Sequence, residues 1–387
     1  MKRKVKFLII LMIISALVLV AAWEVPGFSD FYIKYIFPVW DNTYSRLTGL
    51  FPFSVGEIML YAGALYAAIT VITTVIRFFF MLFRKKTLRS FVRKNLFVFL
   101  SLVVIVVFLQ VNNCFVLYHS SRLFENTAAE DYKPSREDLI DLREKLAKRA
   151  NELCGTFERD EKGYIIYSGD LKSNAVITMQ ALGEAAKNRA ESDDKKILDD
   201  KLKLLSGYFP APKPLKTSGF FSQQYILGYF FPFSMEANYN DMAYVVNLPS
   251  TMCHELSHLK GFILEDEANF LSYLGCMNSK DSFFEYSGVV DALAYVELET
   301  RRELAIEPDL RESLTPIDKR VGLDSMFLTP ENWEIVEERK IFDTEKVKKV
   351  SNDFIDKNLT MNGVESGIDS YSEMVQLLLK YYYGGEN

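Results

Sequence analysis

The sequence predicts a mostly α protein with a small β-sheet, in which three apolar N-terminal helices lead into a larger polar domain. Three observations carry that expectation. Apolar stretches near Phe7–Trp23, Ile58–Leu82 and Leu96–Val111 approach or exceed the roughly 20 helical residues that cross a bilayer's hydrocarbon core. Leucines recur at helical spacing in the polar part, as at Leu139, Leu142, Leu146 and Leu153. A run from Phe220 to Asn247, rich in Phe, Tyr and Val, has the composition of short strands. The chain is accordingly divided into a membrane region, residues 1–112, and an outer domain, residues 113–387.

The first apolar stretch follows Lys2, Arg3, Lys4 and Lys6 and ends near Ala21 and Ala22, a pattern shared with secretory signals. Loop charges favour an uncleaved anchor instead. The segment between the second and third stretches holds Arg77, Arg84, Lys85, Lys86, Arg89, Arg93 and Lys94 without an acid, as cytoplasmic loops do. Between the first and second, Glu24, Asp30, Asp41 and Glu57 face only Lys34 and Arg46, and Trp40 and Tyr44 suit a membrane interface. The expected topology is a multi-pass protein of the cell membrane with a cytoplasmic N-terminus, three crossings, and everything after Val111 extracytoplasmic.

A net charge of -6, with no clustered Lys or Arg beyond residue 130, excludes nucleic acid as a partner. Cys114, Cys154, Cys253 and Cys276 contain no CxxC pair, which removes zinc ribbons and dithiol redox motifs. They read as small buried hydrophobes, with a disulfide of unassigned pairing as the alternative. Ser135 and Asp138 form a capping-box pattern that opens the first helix of the outer domain. A second helix is expected over Ser173–Ala190, continuing near Asp193–Leu205. Pro210, Pro212 and Pro214 mark an extended connector. Helices follow over Leu248–Arg302, and again near Pro330–Arg339, Thr344–Leu359 and Tyr371–Tyr382.

The chemistry lies in His254-Glu255-Leu256-Ser257-His258, an HExxH motif in a helical segment of a chain with three histidines. A spacing of four puts both imidazoles on one helix face, where their nitrogens can converge on one Zn2+. Glu255 lies beside that face and can accept a proton from water. Cys253 points about 100° away from His254 and is not counted as a ligand. No histidine follows His258, and His119 sits at the membrane exit, so the third ligand is expected to be a carboxylate from Glu265-Asp266-Glu267. Glu265 and Glu267 point about 200° apart on a helix. Glu267 is the favoured one, and Gly261 is the break between the two helices.

The motif followed by Glu267-Ala268-Asn269 resembles the gluzincin peptidases. More specifically, the chain resembles a family of bacterial membrane proteins of unassigned function, through Phe51-Pro52-Phe53-Ser54-Val55-Gly56-Glu57, Phe231-Pro232-Phe233-Ser234-Met235-Glu236-Ala237-Asn238 and His254–Asn269. The resemblance implies a zincin-like outer domain with His254, His258 and Glu267 as zinc ligands and Glu255 as general base. It also suggests Asn269 as a partner that orients a ligand. Glu236 and Asn238 fall in a possible edge strand for an extended peptide. Tyr286 and Tyr295 are candidate donors to an oxyanion, with core packing the blander reading. The expected function is hydrolysis of a peptide or protein at the cell surface by zinc-activated water. A structural zinc site in a binding protein and a membrane sensor protease are the rival readings.

Overall fold

The computed structural model describes residues 2–80, 85–125, 127, 129–189, 200–364 and 373–384, and these form two units. The first contains Met1–Ser120 together with Phe231–Glu236, and the second contains Ser121–Phe230 and Ala237–Asn387. The division therefore falls a few residues beyond 112, and a short segment from the middle of the sequence groups with the N-terminal part.

In the first unit the helices α1 (Lys2–Glu24), α2 (Val55–Phe80) and α3 (Lys85–Asn113) are long and apolar enough to cross a membrane. Their outward faces are apolar, with Leu17, Leu65 and Phe79 each more than 60% exposed, as lipid-facing side chains would be. Residues 81 and 82 of the expected second stretch lie outside the described residues. The segment between α1 and α2 is wound into consecutive helical turns over 28–49. Tyr32, buried there, donates to Asn112 Oδ1 at 3.0 Å.

The start of α2 is capped from far along the chain. The Glu236 carboxylate accepts from the amides of Val55 (3.1 Å) and Gly56 (2.7 Å), while Ser54 Oγ accepts from Glu57 N (3.1 Å). Negative charge at a helix N-terminus satisfies amides that have no partner inside the helix. The two Pro-Phe-Ser elements thus meet inside one unit. Replacing Glu236 by Ala removes a buried charged acceptor and is expected to cost about 2 kcal/mol. Thermal unfolding of the full chain in detergent would report it as a lowered midpoint, and an unchanged midpoint would contradict the capping role.

The second unit is a helical bundle with most of a three-stranded sheet, of which Phe231 and Glu236 group with the first unit. Its helices are α4 (Arg136–Cys154), α5 (Leu171–Arg189), α6 (Asn247–His258), α7 (Glu265–Met277), α8 (Ser282–Glu303), α9 (Pro330–Arg339), α10 (Thr344–Met361) and α11 (Met374–Tyr383), with shorter turns between them. Ser135 and Asp138 form the expected capping box, Ser135 Oγ accepting from Asp138 N. Leu142, Leu146 and Leu153 are buried on the inner stripe of α4. Residues 193–199 and 371–372, where helix was also expected, lie outside the described residues.

The sheet runs β1 (Lys213–Pro214), β2 (Gly228–Phe231) and β3 (Glu236–Tyr239), in the order β1-β3-β2. β1 pairs in parallel with β3, Lys213 opposite Asn238. Part of the Pro-rich connector is therefore a short strand, and β3 is the central strand. All four of its residues are buried, which corrects the expectation of an edge at Glu236–Asn238. The edges are β1 and β2. α6, α7 and α8 pack against one another, with α5 on α6 and α4 on α8. None of the four cysteines is in a disulfide, and all are buried.

Candidate metal centre

α6 places His254 and His258 one turn apart on one face. Their rings meet edge to face with centroids 4.7 Å apart and Nε2 atoms 3.1 Å apart. The helix ends at His258, and Gly261, at φ 94°, turns the chain in a left-handed conformation that a side chain would strain. This turn brings the Phe262 carbonyl within 2.7 Å of His258 Nδ1. With that nitrogen donating a proton to the carbonyl, Nε2 keeps its lone pair for the centre. α7 then starts at Glu265, whose Oε2 lies 3.1 Å from His254 Nε2 and 3.8 Å from His258 Nε2. One donor atom from each of the three residues falls within 4.8 Å of the other two.

The carboxylate at the histidines is therefore Glu265, where Glu267 was favoured. The opening turn of α7 carries three acids in succession, and helix phase sends them apart. Glu267, 1% exposed, accepts from Leu123 N (2.7 Å) and pairs with Lys201 Nζ (3.1 Å). Asp266 pairs with Arg122 at 2.8 Å.

Glu255 lies outside the converging set and is 5% exposed. Its Oε2 has no hydrogen-bond partner among the described residues. A β-carbon on Gly228 of β2 would lie 2.5 Å from Glu255 Oε1 and 2.7 Å from Thr251 Cγ2, so glycine is the side chain that fits there. Two residues on, the Phe230 ring stands 6.0 Å from that of His258. The edge strand β2 thus flanks the motif helix, a relation the sequence did not indicate.

Asn269, one turn after Glu265, lies beside His254 and Tyr295 and is 7% exposed, with no partner for its amide nitrogen. Tyr295 and Asp291 sit one turn apart on α8, and Asp291 stands within electrostatic reach of His254. Asp291 was missed in the sequence; its signal is an acid set between Val289-Val290 and Ala292-Leu293. Tyr286 is elsewhere. Its hydroxyl is buried and donates to Asp324 at 2.5 Å. Glu236 caps α2, and Asn238 donates to the Tyr229 carbonyl at 3.1 Å, so neither joins the site residues described above.

Burial of acids and imidazoles together sets the protonation states. Burial opposes the charge on His254, yet the hydrogen bond and charge of Glu265 outweigh it and raise the imidazole to about 9. Burial lowers His258 to about 4. Burial raises the Glu255 carboxyl to about 8, with the His254 charge acting against it, and raises Asp291 to about 6. A proton shared between His254 and Glu265 thus stands where a cation could stand.

The chain belongs to the family described as "Protein of unknown function (DUF3810)", whose model matches residues 32–379. Neither a curated protein nor a solved structure matches it.

Proposed function

We propose that the chain is a zinc metallopeptidase anchored by its apolar N-terminal helices, with the second unit on the outer side of the membrane. The observation that carries this reading is the convergence of His254, His258 and Glu265 from two consecutive helices. Two imidazoles and a carboxylate form a donor set of catalytic zinc sites, which leave a fourth position open. Three such donors converge among the described residues, and a structural site would generally supply four. The HExxH part of the resemblance to gluzincins supports the same assignment, whereas its downstream element, Glu267-Ala268-Asn269, does not supply the carboxylate at the histidines. The basic segment around Arg77–Lys94 and the acidic one between the first two spans support a cytoplasmic N-terminus.

A zinc ion bound there would supply a Lewis acid that acidifies water and polarises a carbonyl. With its carboxyl brought down from about 8 by the charge of a zinc ion, Glu255 accepts the proton of the attacking water and passes it to the leaving amine. Its unpartnered Oε2 is the atom for that transfer. Phe262 O fixes the tautomer of His258, and Asn269 orients His254. An extended peptide laid along β2 would pass the Glu255 carboxylate at Gly228, where no side chain stands between them.

The test is zinc content and peptide-library cleavage by the full chain in detergent, beside His258→Ala. The wild-type chain is expected to bind one zinc and cleave. The variant should lose both. With His254 raised to about 9, zinc uptake at pH 7 should release close to one proton from it, since a ligating imidazole must give up its proton. Calorimetry in buffers of different ionisation enthalpy measures the total released, to which Glu255, held at about 8 without metal, contributes as well. A wild-type chain that takes up no zinc defeats the reading.

A further inference from the structure

We infer that Lys201 is a positioning residue of the metal site, holding the first turn of α7 so that Glu265 faces His254 and His258. The inference rests on the metallopeptidase reading of that site. Successive residues of a helix point about 100° apart, so fixing two neighbours fixes the direction of the third. Asp266 is held by Arg122 at 2.8 Å, and Glu267 by Leu123 N at 2.7 Å and Lys201 Nζ at 3.1 Å. With both held, the rotation of the turn is set, and Glu265 is directed at the histidines.

Lys201 is the more buried of the two cations, its side chain 10% exposed against 45% for Arg122. Its ammonium also donates to Ser121 O at 2.6 Å and lies 5.3 Å from the centre of the Phe262 ring. Phe262 is the residue whose carbonyl fixes His258. One ammonium therefore bears on both sides of the turn between α6 and α7, on His258 through Phe262 and on Glu265 through Glu267. A buried carboxylate that loses its ion partner is strongly destabilised, and the turn relieves this by rotating or opening. Either movement takes Glu265 away from the imidazoles. Ser121–Leu123, which complete the clamp, directly follow the first unit in sequence.

The test uses the full chain in detergent as wild type, Lys201→Met and Lys201→Arg. Zinc affinity is measured by competition with a chromophoric chelator, and amide hydrogen exchange of residues 265–269 is measured on metal-free protein. Loss of a residue that orients a ligand costs on the order of 10-fold in metal affinity. Lys201→Met should show that loss together with faster exchange in the α7 turn, and Lys201→Arg should recover both. Faster exchange with unchanged zinc affinity would make Lys201 a structural ion pair and overturn the inference; unchanged exchange overturns it as well. A wild-type chain that binds no zinc removes the metallopeptidase reading and this inference together, an outcome the wild-type arm separates from failure of the inference alone.

Discussion

Glu255→Gln is expected to lower kcat by about 10³- to 10⁴-fold, at the upper end of what general base catalysis contributes, while zinc stays bound. The two effects separate because Glu255 is not among the three converging donors, whereas its unpartnered oxygen is in place to take a proton. Gln keeps the shape that fits against Gly228 and Thr251 but cannot accept that proton. The measurement is single-turnover cleavage with zinc quantified in the same sample. Full turnover in the variant would remove Glu255 from the reaction.

The same substitution has a consequence for the metal-free protein. Burial raises the Glu255 carboxyl to about 8, well above its value of about 4.3 in an unfolded chain. Between those values the folded state holds the extra proton, so the contribution of Glu255 to stability declines as pH rises from about 4 to 8. His254 adds a decline of the same sign, since its folded value of about 9 exceeds the unfolded one, and its contribution is complete below about 6.5. His258, lowered to about 4, acts oppositely and over a lower window, from about 4 to 6.5. The metal-free wild type should therefore lose stability between pH 6.5 and 8. The Gln variant should lose less.

Much of this was legible from local pattern. The three apolar helices declare themselves by unbroken apolar length, and α6 by a four-residue spacing that only a helix turns into a pair of facing imidazoles. The capping box at Ser135 and the break at Gly261 are likewise written in a few adjacent residues. What escaped depends on residues distant in sequence. Glu265 and Glu267 are equally good acids two positions apart, and the choice between them was made by Leu123 and Lys201, which take Glu267. Glu236 and Asn238 looked like an edge strand because composition does not give strand order; β1, two residues long and containing Pro214, pairs with Asn238 and Tyr239 and makes β3 the central strand. The close approach of Gly228 to Glu255 has no sequence signal at all. Tyr286 could be told from Tyr295 only once Asp324 was seen to take its hydroxyl.

That last contact is one of several that converge on the Asp324 carboxylate. Asp324 is fully buried and accepts from Arg159 Nη1 (2.9 Å) and Nη2 (2.7 Å), from Tyr286 OH (2.5 Å) and from Tyr244 OH (3.2 Å). The Tyr244 hydroxyl accepts in turn from Ile165 N at 2.8 Å. Burial, and then Asp324, push the Tyr286 phenol far above its ordinary range, so it remains a donor. Four segments of the second unit are joined at this one carboxylate, and Arg159 balances its charge. Arg159→Met should cost about 3–5 kcal/mol, because it strands a buried carboxylate. Replacing both partners, as in Arg159→Met with Asp324→Leu, should cost clearly less than the single change, since no unpaired charge is left behind. Tyr286→Phe should lower stability by about 1 kcal/mol, the worth of one hydrogen bond, and leave peptide cleavage by the folded protein unchanged. Thermal unfolding of the three variants, with cleavage measured below their midpoints, tests the assignment. A double variant as unstable as Arg159→Met would show that the cluster contributes packing rather than charge balance, and lost cleavage in Tyr286→Phe would return that tyrosine to the site.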